Sequence, residues 1–209
     1  MENKIFTYKN KTPLIKKDVF IAEGSKIIGN VEIDVGSSIW FNCVIRGDVA
    51  YVRIGKNTNV QDGTVIHVSS YGFSATGRDG SPTEIGNNVT IGHNATIHAC
   101  KIKDNALIGM GSIILDNAVV NSMAFVAAGA VVTPGTNIKE NQLWAGNPAR
   151  FIRLINESEK KLLINTPEVY GKLRKEFLKK NWVFFFKFLL WTNVNIYYKP
   201  LWTNFLKYY

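Results

Sequence analysis

The chain has 209 residues, of which 46% are hydrophobic and 20% are charged, which is typical of one globular domain with an appendage. Its net charge of +9 suggests nucleic-acid binding, yet residues 21–155 carry ten basic and ten acidic side chains, so the positive balance lies at the two ends. The central body offers no cationic groove for phosphates, and we expect no nucleic-acid partner. Two cysteines without CxxC spacing, and a lysine-rich N-terminus without an apolar segment, argue against secretion and predict a cytoplasmic location.

From residue 21 onwards, aliphatic residues recur every six positions, and a small or β-branched residue usually follows four positions later. A six-residue period fits neither a helix nor a long alternating strand, but it is typical of short strands joined by tight turns. Such units bury little alone and must stack into a solenoid. A sandwich of short strands is the alternative, but it would not keep so regular a spacing. The aliphatic positions are Ile21, Ile27, Ile33, Ile39 and Ile45; Ile54, Val60 and Ile66; Ile85, Ile91 and Ile97; then, after a slip of one residue, Ile102, Ile108, Ile114, Val120, Val126, Val132 and Ile138.

This spacing resembles the hexapeptide repeat of left-handed parallel β-helices, in which three hexads form one triangular coil. The predicted fold class is therefore an all-β solenoid, a left-handed parallel β-helix, followed by a C-terminal α-helix. We treat the nine-residue step from Ile45 to Ile54 as one bulged hexad and residues 69–84, rich in Gly and Ser, as an excursion loop. The three faces then hold Ile45, Ile66 and Ile97 (face one), Ile54 and Ile85 (face two), and Val60 and Ile91 (face three).

All three histidines of the chain fall on two adjacent coils. His67 and His98 each follow a face-one anchor, so they should stack about 4.7–4.9 Å apart, within reach of one metal ion. His93 lies beyond a corner on face three and should not converge with them in the same chain. A head-to-tail contact between face three of one subunit and face one of the next closes into a trimer and would complete the site with His93 of the neighbour. The alternative is that these histidines are only polar surface residues.

Five further polar residues map to the same region: Arg46, Asp48, Asn59, Gln61 and Asp62. Arg46 should lie beneath His67, with Asp48 two residues on, while Asp62 should lie one coil beneath His93. Asn59 and Gln61 flank an inward anchor and should point outward. This set predicts ion pairs that lock subunits together, orientation of a bound water and substrate, or both.

Four stretches carry a further resemblance: IWFNCVIRGD, NTNVQDGTVIHV, IGHNATIHAC and LWAGNPARFIR. Together they resemble the gamma-class carbonic anhydrase family over about residues 10–180. The resemblance implies a homotrimer with a metal ion at each subunit interface. By position, the family's ligands match His67, His93 and His98, its Arg and Asp match Arg46 and Asp48, and its NVQD residues match Asn59, Gln61 and Asp62.

The resemblance also implies a chemistry. Three neutral imidazoles leave a coordination position for water, whose pKa the cation lowers towards about 7, and the hydroxide would add to CO2 to give bicarbonate. Gln61 would hold the hydroxide or CO2. Zinc is the expected ion, and iron(II) or cobalt(II) would suit the same ligands.

One departure from the family pattern affects the expected rate. The stretch GDVAYVR has no glutamate to carry protons away, and the excursion loop offers only Asp79 and Glu84, so slow turnover is expected. The alternative functions are a hexapeptide-repeat acyltransferase, which shares the fold, and a non-catalytic trimeric scaffold cemented by its metal.

The chain divides by composition into a β-helix at 1–155, a helix at 156–180 and a tail at 181–209. Pro167 predicts a kink in this helix or the start of a second one. The tail holds twelve aromatic residues and three lysines, which indicates either an extension without a partner or contact with a membrane surface or another protein. The helix carries an apolar stripe expected to pack on the β-helix: Leu162, Leu163, Val169, Tyr170, Leu173 and Phe177.

Overall fold

The computed structural model describes residues 4–70 and 80–197, with side chains described as far as residue 179. In these residues, twenty short strands precede one helix. The elements are β1 (Ile5–Phe6), β2 (Leu14–Ile15), β3 (Phe20–Ile21), β4 (Lys26–Ile33), β5 (Ser38–Ile39), β6 (Val44–Ile54), β7 (Asn59–Val60), β8 (Val65–His67), β9 (Thr83–Ile85), β10 (Thr90–Ile91), β11 (Thr96–His98), β12 (Lys101–Ile102), β13 (Leu107–Ile108), β14 (Ile113–Ile114), β15 (Val119–Val120), β16 (Phe125–Val126), β17 (Val131–Val132), β18 (Asn137–Ile138), β19 (Gln142–Gly146), β20 (Ala149–Leu154) and α1 (Glu157–Tyr197).

The strands stack in parallel to form three faces of a solenoid. One sheet follows the order β17-β14-β11-β8-β6-β9-β12-β15-β18, and the long strand β6 turns a corner within it, pairing with β8 through its first half and β9 through its second. The third face is the sheet β3-β5-β7-β10-β13-β16-β19, which the antiparallel strand β20 closes. The predicted fold class is confirmed.

Strand register follows the six-residue repeat because the aliphatic anchors face one shared interior. Ile66 pairs with Ile45 below and Ile97 above, as the assignment of face one requires. Ile54 pairs with Ile85 on face two, and Val60 with Ile91 on face three. Ile45, Ile66, Ile91 and Ile97 are fully buried, so the faces predicted from spacing are those of the folded chain.

The predicted bulge lies in β6. Gly29 pairs with Gly47 and Val31 with Val52, so four residues of β6 stand opposite Asn30 alone. Asp48 is the first residue of this bulge. The extra length carries the chain outward at the corner between faces one and two, next to the coil that bears His67.

Gly92 gives one test of the coil stacking, because a Cβ built there would lie 2.6 Å from the backbone N of Met110 in the next coil. A backbone atom cannot move aside as the end of a flexible side chain can. We therefore expect Gly92→Ala to lower the free energy of unfolding by about 2–4 kcal/mol, near the upper end for overpacking. Gly171→Ala is the control, since nothing lies within 4 Å of a Cβ on this helical residue. The Gly171→Ala change should raise the free energy of unfolding by up to about 1 kcal/mol. Equal denaturation midpoints for the two variants would contradict the stacking argument.

The helix α1 begins with a reciprocal cap. The backbone N of Glu159 donates to Asn156 Oδ1 at 2.9 Å, and the backbone N of Asn156 donates to Glu159 Oε2 at 2.8 Å. Leu163 is buried against Leu107 and Ile155, and the ring of Tyr170 meets that of Trp40 edge-on at 5.3 Å. Leu107 lies in β13 and Trp40 directly follows β5, and both strands belong to face three. This part of the helix therefore packs along face three.

Two expectations for the helix are corrected. Pro167 lies inside one continuous helix and starts no second one. Leu162, Val169 and Leu173 are exposed, although they were expected to pack on the β-helix. For Leu162 and Val169 the reason is the helical period: Leu163, Pro167 and Tyr170 share the inward side, so these residues, one position away, face elsewhere.

The chain forms two compact units, Met1–Lys172 and Leu173–Tyr209. In the second unit the backbone is helical as far as Tyr197, beyond the predicted end at residue 180. The side chains of the aromatic tail at 181–209 lie outside the described residues. Within the described part of the chain, no helix has an apolar stretch long enough to cross a bilayer.

The cap formed by Asn156 and Glu159 at the start of α1 also predicts that the stability of the fold depends on pH. The guanidinium of Arg153 donates to both carboxylate oxygens of Glu159, and this bond, with the Asn156 amide, lowers the pKa of Glu159 to about 2. A carboxyl whose folded-state pKa is lowered stabilises the fold above its unfolded pKa of about 4.3, and this contribution disappears as pH falls towards 2. We expect Glu159→Gln to cost under about 1 kcal/mol at pH 7, since the pair is solvent-exposed. The cost should vanish near pH 2.

Urea unfolding at pH 7, 4 and 2.5 measures this difference. Glu157→Gln is the matched control, because Glu157 pairs only with Lys160 and is largely exposed. A cost for Glu159→Gln that stays constant with pH would contradict the assignment.

Candidate metal centre

Four polar side chains from four successive coils form a column of contacts along face one: Asp48, His67, His98 and Asp116. His67 Nε2 lies 3.0 Å from Asp48 Oδ1, and His98 Nδ1 lies 2.5 Å from Asp116 Oδ1. Between the two imidazoles, His67 Nδ1 is 3.3 Å from His98 Nε2. The column arises because β8 and β11 pair in register, His67 beside His98. The structure therefore brings this predicted pair together.

The N–H donors of His67 and His98 indicate which kind of group the space between the two imidazoles can hold. An ionised carboxylate only accepts hydrogen bonds, so each imidazole must direct its N–H to its own aspartate. When both rings are neutral, the nitrogens that face each other then carry lone pairs, and two facing lone pairs form a suitable site for a cation. Two nitrogens bound to one tetrahedral ion at about 2.0–2.1 Å lie about 3.3 Å apart. The observed separation of 3.3 Å fits this requirement, so the residues suit a divalent metal ion.

The electrostatics favour neutral imidazole beside ionised carboxylate. Burial lowers the pKa of His67 and outweighs the hydrogen bond to Asp48, which raises it. Burial raises the pKa of Asp48, but hydrogen bonds from His67 and Arg46 outweigh it and hold that pKa below the usual range. The Arg46 guanidinium donates to Asp48 Oδ2. These are the charge states that a metal-binding imidazole and its supporting carboxylate require.

His93 lies apart from this column, as expected. Its Nδ1 is 2.8 Å from Asp62 Oδ2, and the side chains of the two residues are 39% and 41% exposed. They sit at the corner where the chain leaves face three, with Asp62 one coil below His93. Among the described side chains, no three His, Cys, Asp or Glu converge on one ion. A three-histidine site therefore needs a second chain.

Asn59 and Gln61 occupy outward positions of β7 and its continuation, but they are only 1% and 6% exposed. Gln61 Nε2 donates to Asn59 Oδ1 at 3.1 Å, and Asn59 Nδ2 donates to Thr90 Oγ1 at 2.9 Å. Because the chain's own helix packs along this sheet, face three is not free to dock flat against a neighbour. The corner that carries Asp62 and His93 remains partly exposed.

Asp116 is a site residue that the sequence analysis missed. It comes two residues after Ile114, the anchor that pairs with Ile97, so the repeat itself placed it beside the coil of His98. That register was the available signal. An aspartate at a turn is common on a solenoid, however, and only the fold shows its contact with a histidine.

Glu84 is also corrected. It lies in β9 on face two rather than in a loop, and it accepts hydrogen bonds from Tyr51 Oη at 2.7 Å and Lys101 Nζ at 2.6 Å. The Lys101 bond, followed by that of Tyr51, holds the pKa of Glu84 below its usual range. Both partners fix this carboxylate in place, so it is poorly suited to carry protons. Asp79 lies outside the described residues.

The two cysteines are buried and free. Burial raises the pKa of Cys43 to about 12, and that of Cys100 also rises well above the usual thiol value. Since only a thiolate binds metal well, neither cysteine competes with the imidazoles. This agrees with packing roles for both.

The fold defines a class, the hexapeptide-repeat parallel β-helix, and relatives of known name fit that class. A family model described as Dynactin subunit 5 matches residues 14–180. Gamma carbonic anhydrase 2, mitochondrial, of Arabidopsis thaliana is 47% identical over 150 residues, covering 72% of this chain and 53% of the relative. Carbonic anhydrase of Geobacillus kaustophilus (strain HTA426) is 40% identical over 84% of this chain and 88% of the relative.

Among solved structures, a hexapeptide transferase family protein from Anaplasma phagocytophilum has a TM-score of 0.76 and 39% identity, covering 83% of this chain and 97% of that one. The chain therefore belongs to the family of hexapeptide-repeat β-helix proteins that includes the gamma carbonic anhydrases. It spans about half the length of the Arabidopsis relative.

Proposed function

We propose that this protein hydrates CO2 to bicarbonate, reversibly, at a metal centre shared between subunits of a homotrimer. The observation that carries the proposal is the pair of facing imidazole nitrogens, His67 Nδ1 and His98 Nε2, held 3.3 Å apart while the other nitrogen of each ring contacts an aspartate. His93 of a neighbouring chain would supply the third ligand from its exposed corner. The names of the relatives support CO2 as the substrate.

The metal, when bound, supplies the Lewis acidity that lowers the pKa of a water molecule towards about 7. The chain's own residues would do the rest. Asp48 holds the N–H of His67, and Arg46 holds Asp48 by its guanidinium. Asp62 holds Nδ1 of His93, which leaves Nε2 of that ring free to reach an ion across the interface. Zinc is the proposed ion, with iron(II) and cobalt(II) as alternatives.

Gln61 is the proposed substrate-orienting residue. One N–H of its amide donates to Asn59, so its second N–H can donate to a bound oxygen and its carbonyl oxygen can accept a hydrogen bond from water. Asn59 fixes the amide of Gln61 through this bond and is itself anchored on Thr90. This chain of side-chain contacts would keep the Gln61 amide in one orientation during the reaction.

Turnover is proposed to be slow. Glu84, the carboxylate considered for proton transfer, is engaged by Tyr51 and Lys101 on face two. A rate limited by proton release should rise with buffer concentration, because buffer then replaces the missing shuttle.

Stopped-flow CO2 hydration, with metal content measured on the same sample, tests the proposal. The full chain is loaded with zinc, and separately with iron(II) under anaerobic conditions. We expect about one ion per chain and hydration above the buffer rate. Metal without hydration would instead favour a scaffold cemented by its metal, and acyl-CoA turnover without metal would favour an acyltransferase.

The cytoplasmic location stays a prediction, and the mitochondrial location in the name of the Arabidopsis relative is the alternative. Imaging of the tagged chain in its own cells distinguishes the two.

The tail at 181–209 is tested by truncation after Lys180. If the tail contacts membranes, the truncated chain should lose co-sedimentation with anionic vesicles and keep its hydration rate. Unchanged sedimentation would exclude that contact.

A further inference from the structure

We propose that Asp116 is a positioning residue that selects the tautomer of His98 and so keeps Nε2 of that ring bare for the metal. This inference rests on the proposed metal centre, but it does not depend on which reaction the centre catalyses. The relevant contact is between Asp116 Oδ1 and His98 Nδ1, at 2.5 Å.

Asp116 is buried, and its backbone is bonded to the next coil. Its side chain is 11% exposed, and its backbone O accepts a hydrogen bond from Gly135 N at 2.9 Å in the next coil. On the other side, Leu115 N donates to Val132 O at 3.0 Å. These two bonds fix the backbone of residues 115 and 116 against the next coil, so the Cβ of Asp116 has a fixed place beside His98.

The tautomer follows from the acceptor-only character of a carboxylate. If His98 carried its proton on Nε2, the Nδ1 lone pair would face a buried carboxylate oxygen at hydrogen-bond distance, which is repulsive. With the proton on Nδ1, that contact becomes a hydrogen bond to a charged acceptor, which is stronger than a bond between neutral groups. An imidazole whose far nitrogen is anchored in this way is both oriented and more basic as a ligand.

The same arrangement occurs on the other side of the site. Asp48 anchors the far nitrogen of His67, so the two aspartates enclose the imidazole pair from opposite ends of the column. Each carboxylate lies on a coil that carries no histidine. The two lone pairs face a common point only because both anchors act together.

The test uses Asp116→Ala in the full chain and two readouts. Long-range ¹H–¹⁵N correlation of the histidine rings in metal-free protein reports which nitrogen of His98 carries the proton. We expect Nδ1–H in the unsubstituted chain and loss of that preference in Asp116→Ala. Zinc affinity, measured by competition with a chelating dye, should fall by about 10–100-fold.

Asp104→Ala is the matched control. Asp104 is also an aspartate at a coil corner, and its carboxylate accepts from the backbone N and the side-chain Nδ2 of Asn87, at 2.8 and 3.2 Å. This variant should lose stability and leave zinc affinity within about twofold of the unsubstituted chain. A purely structural role for Asp116 would make the two variants alike in affinity.

The outcomes separate this inference from the proposed function. An Nε2–H tautomer of His98 in the unsubstituted chain overturns the inference whether or not any variant folds. Unchanged zinc affinity in folded Asp116→Ala does the same, even if CO2 hydration is observed. Conversely, a protein that binds zinc through Asp116-oriented His98 but hydrates no CO2 would support the inference and contradict the proposed function.

Discussion

Replacing His98 by asparagine is expected to remove metal binding and CO2 hydration together. His98 provides one of two facing nitrogens, and without it His67 Nδ1 is left with no partner within the described chain. The loss of a ligand should exceed the 10–100-fold loss in affinity that is typical of a supporting residue. We therefore expect zinc content to fall from about one ion per chain to background, and hydration to fall to the buffer rate.

Asparagine is chosen over alanine because its amide can still donate to Asp116. Alanine would leave that buried carboxylate without its imidazole partner, at a cost of about 1–3 kcal/mol, and would confuse instability with ligand loss. Thr96→Ser is the control, since Thr96 lies on the same strand two residues before His98. Retention of stoichiometric zinc by folded His98→Asn would contradict the assignment of His98 as a ligand.

Two inactive variants are expected to restore activity when they assemble together. If each centre takes His67 and His98 from one chain and His93 from the next, a His93→Ala chain still offers an intact pair, and a His98→Asn chain still offers an intact His93. In trimers assembled at random from equal amounts, each centre receives both intact halves with a probability of about one quarter. Hydration should therefore recover to about 25% of the unsubstituted rate.

The matched control combines His67→Ala with His98→Asn. Both changes lie on face one of the same column, so no arrangement of these two chains gives a complete centre. The mixtures are unfolded and refolded together, and also mixed after separate assembly, where no recovery is expected. Equal recovery in both pairs, or none in the first, would contradict a centre shared between chains. Either result would also remove the reason to infer a trimer.

The exposed corner at His93 explains why the complementary halves stay apart in one chain. His93 and Asp62 lie past the end of face three, which the chain's own helix covers near Trp40 and Tyr170. The column of His67 and His98 lies on the next face. In the proposed trimer, a second chain would reach the column with its corner, because the helix covers face three.

Much of the fold could be predicted because the repeat has a physical origin. Each coil must supply one aliphatic side chain per face to the interior, so the spacing of Ile45, Ile66 and Ile97 determines which strands pair. The same spacing carries over to the outward neighbours of these anchors, and His67 and His98 were therefore predicted to stack. The bulge after Ile45 followed from the same count of residues.

The outer layer could not be predicted in the same way, because no repeat governs it. Asn59 and Gln61 occupy the outward positions expected of them, but their burial on this sheet, along which the helix packs, was not foreseen. Leu162 and Leu163 are adjacent and equally apolar, yet only Leu163 is buried. Which side of a helix meets a sheet depends on contacts between segments far apart in the chain, such as Leu163 with Leu107.

The sequence alone determined the period, the three faces and the stacking of two histidines, since each follows from the requirement that aliphatic residues fill one continuous core. The tertiary structure decided which nitrogen of each ring faces the other and which carboxylate holds it. Asp48 and Asp116 contact the histidines across 19 and 18 residues. Side-chain rotamers and hydrogen bonds of this kind depend on the surroundings that neighbouring coils create, and a repeat of backbone positions does not encode them.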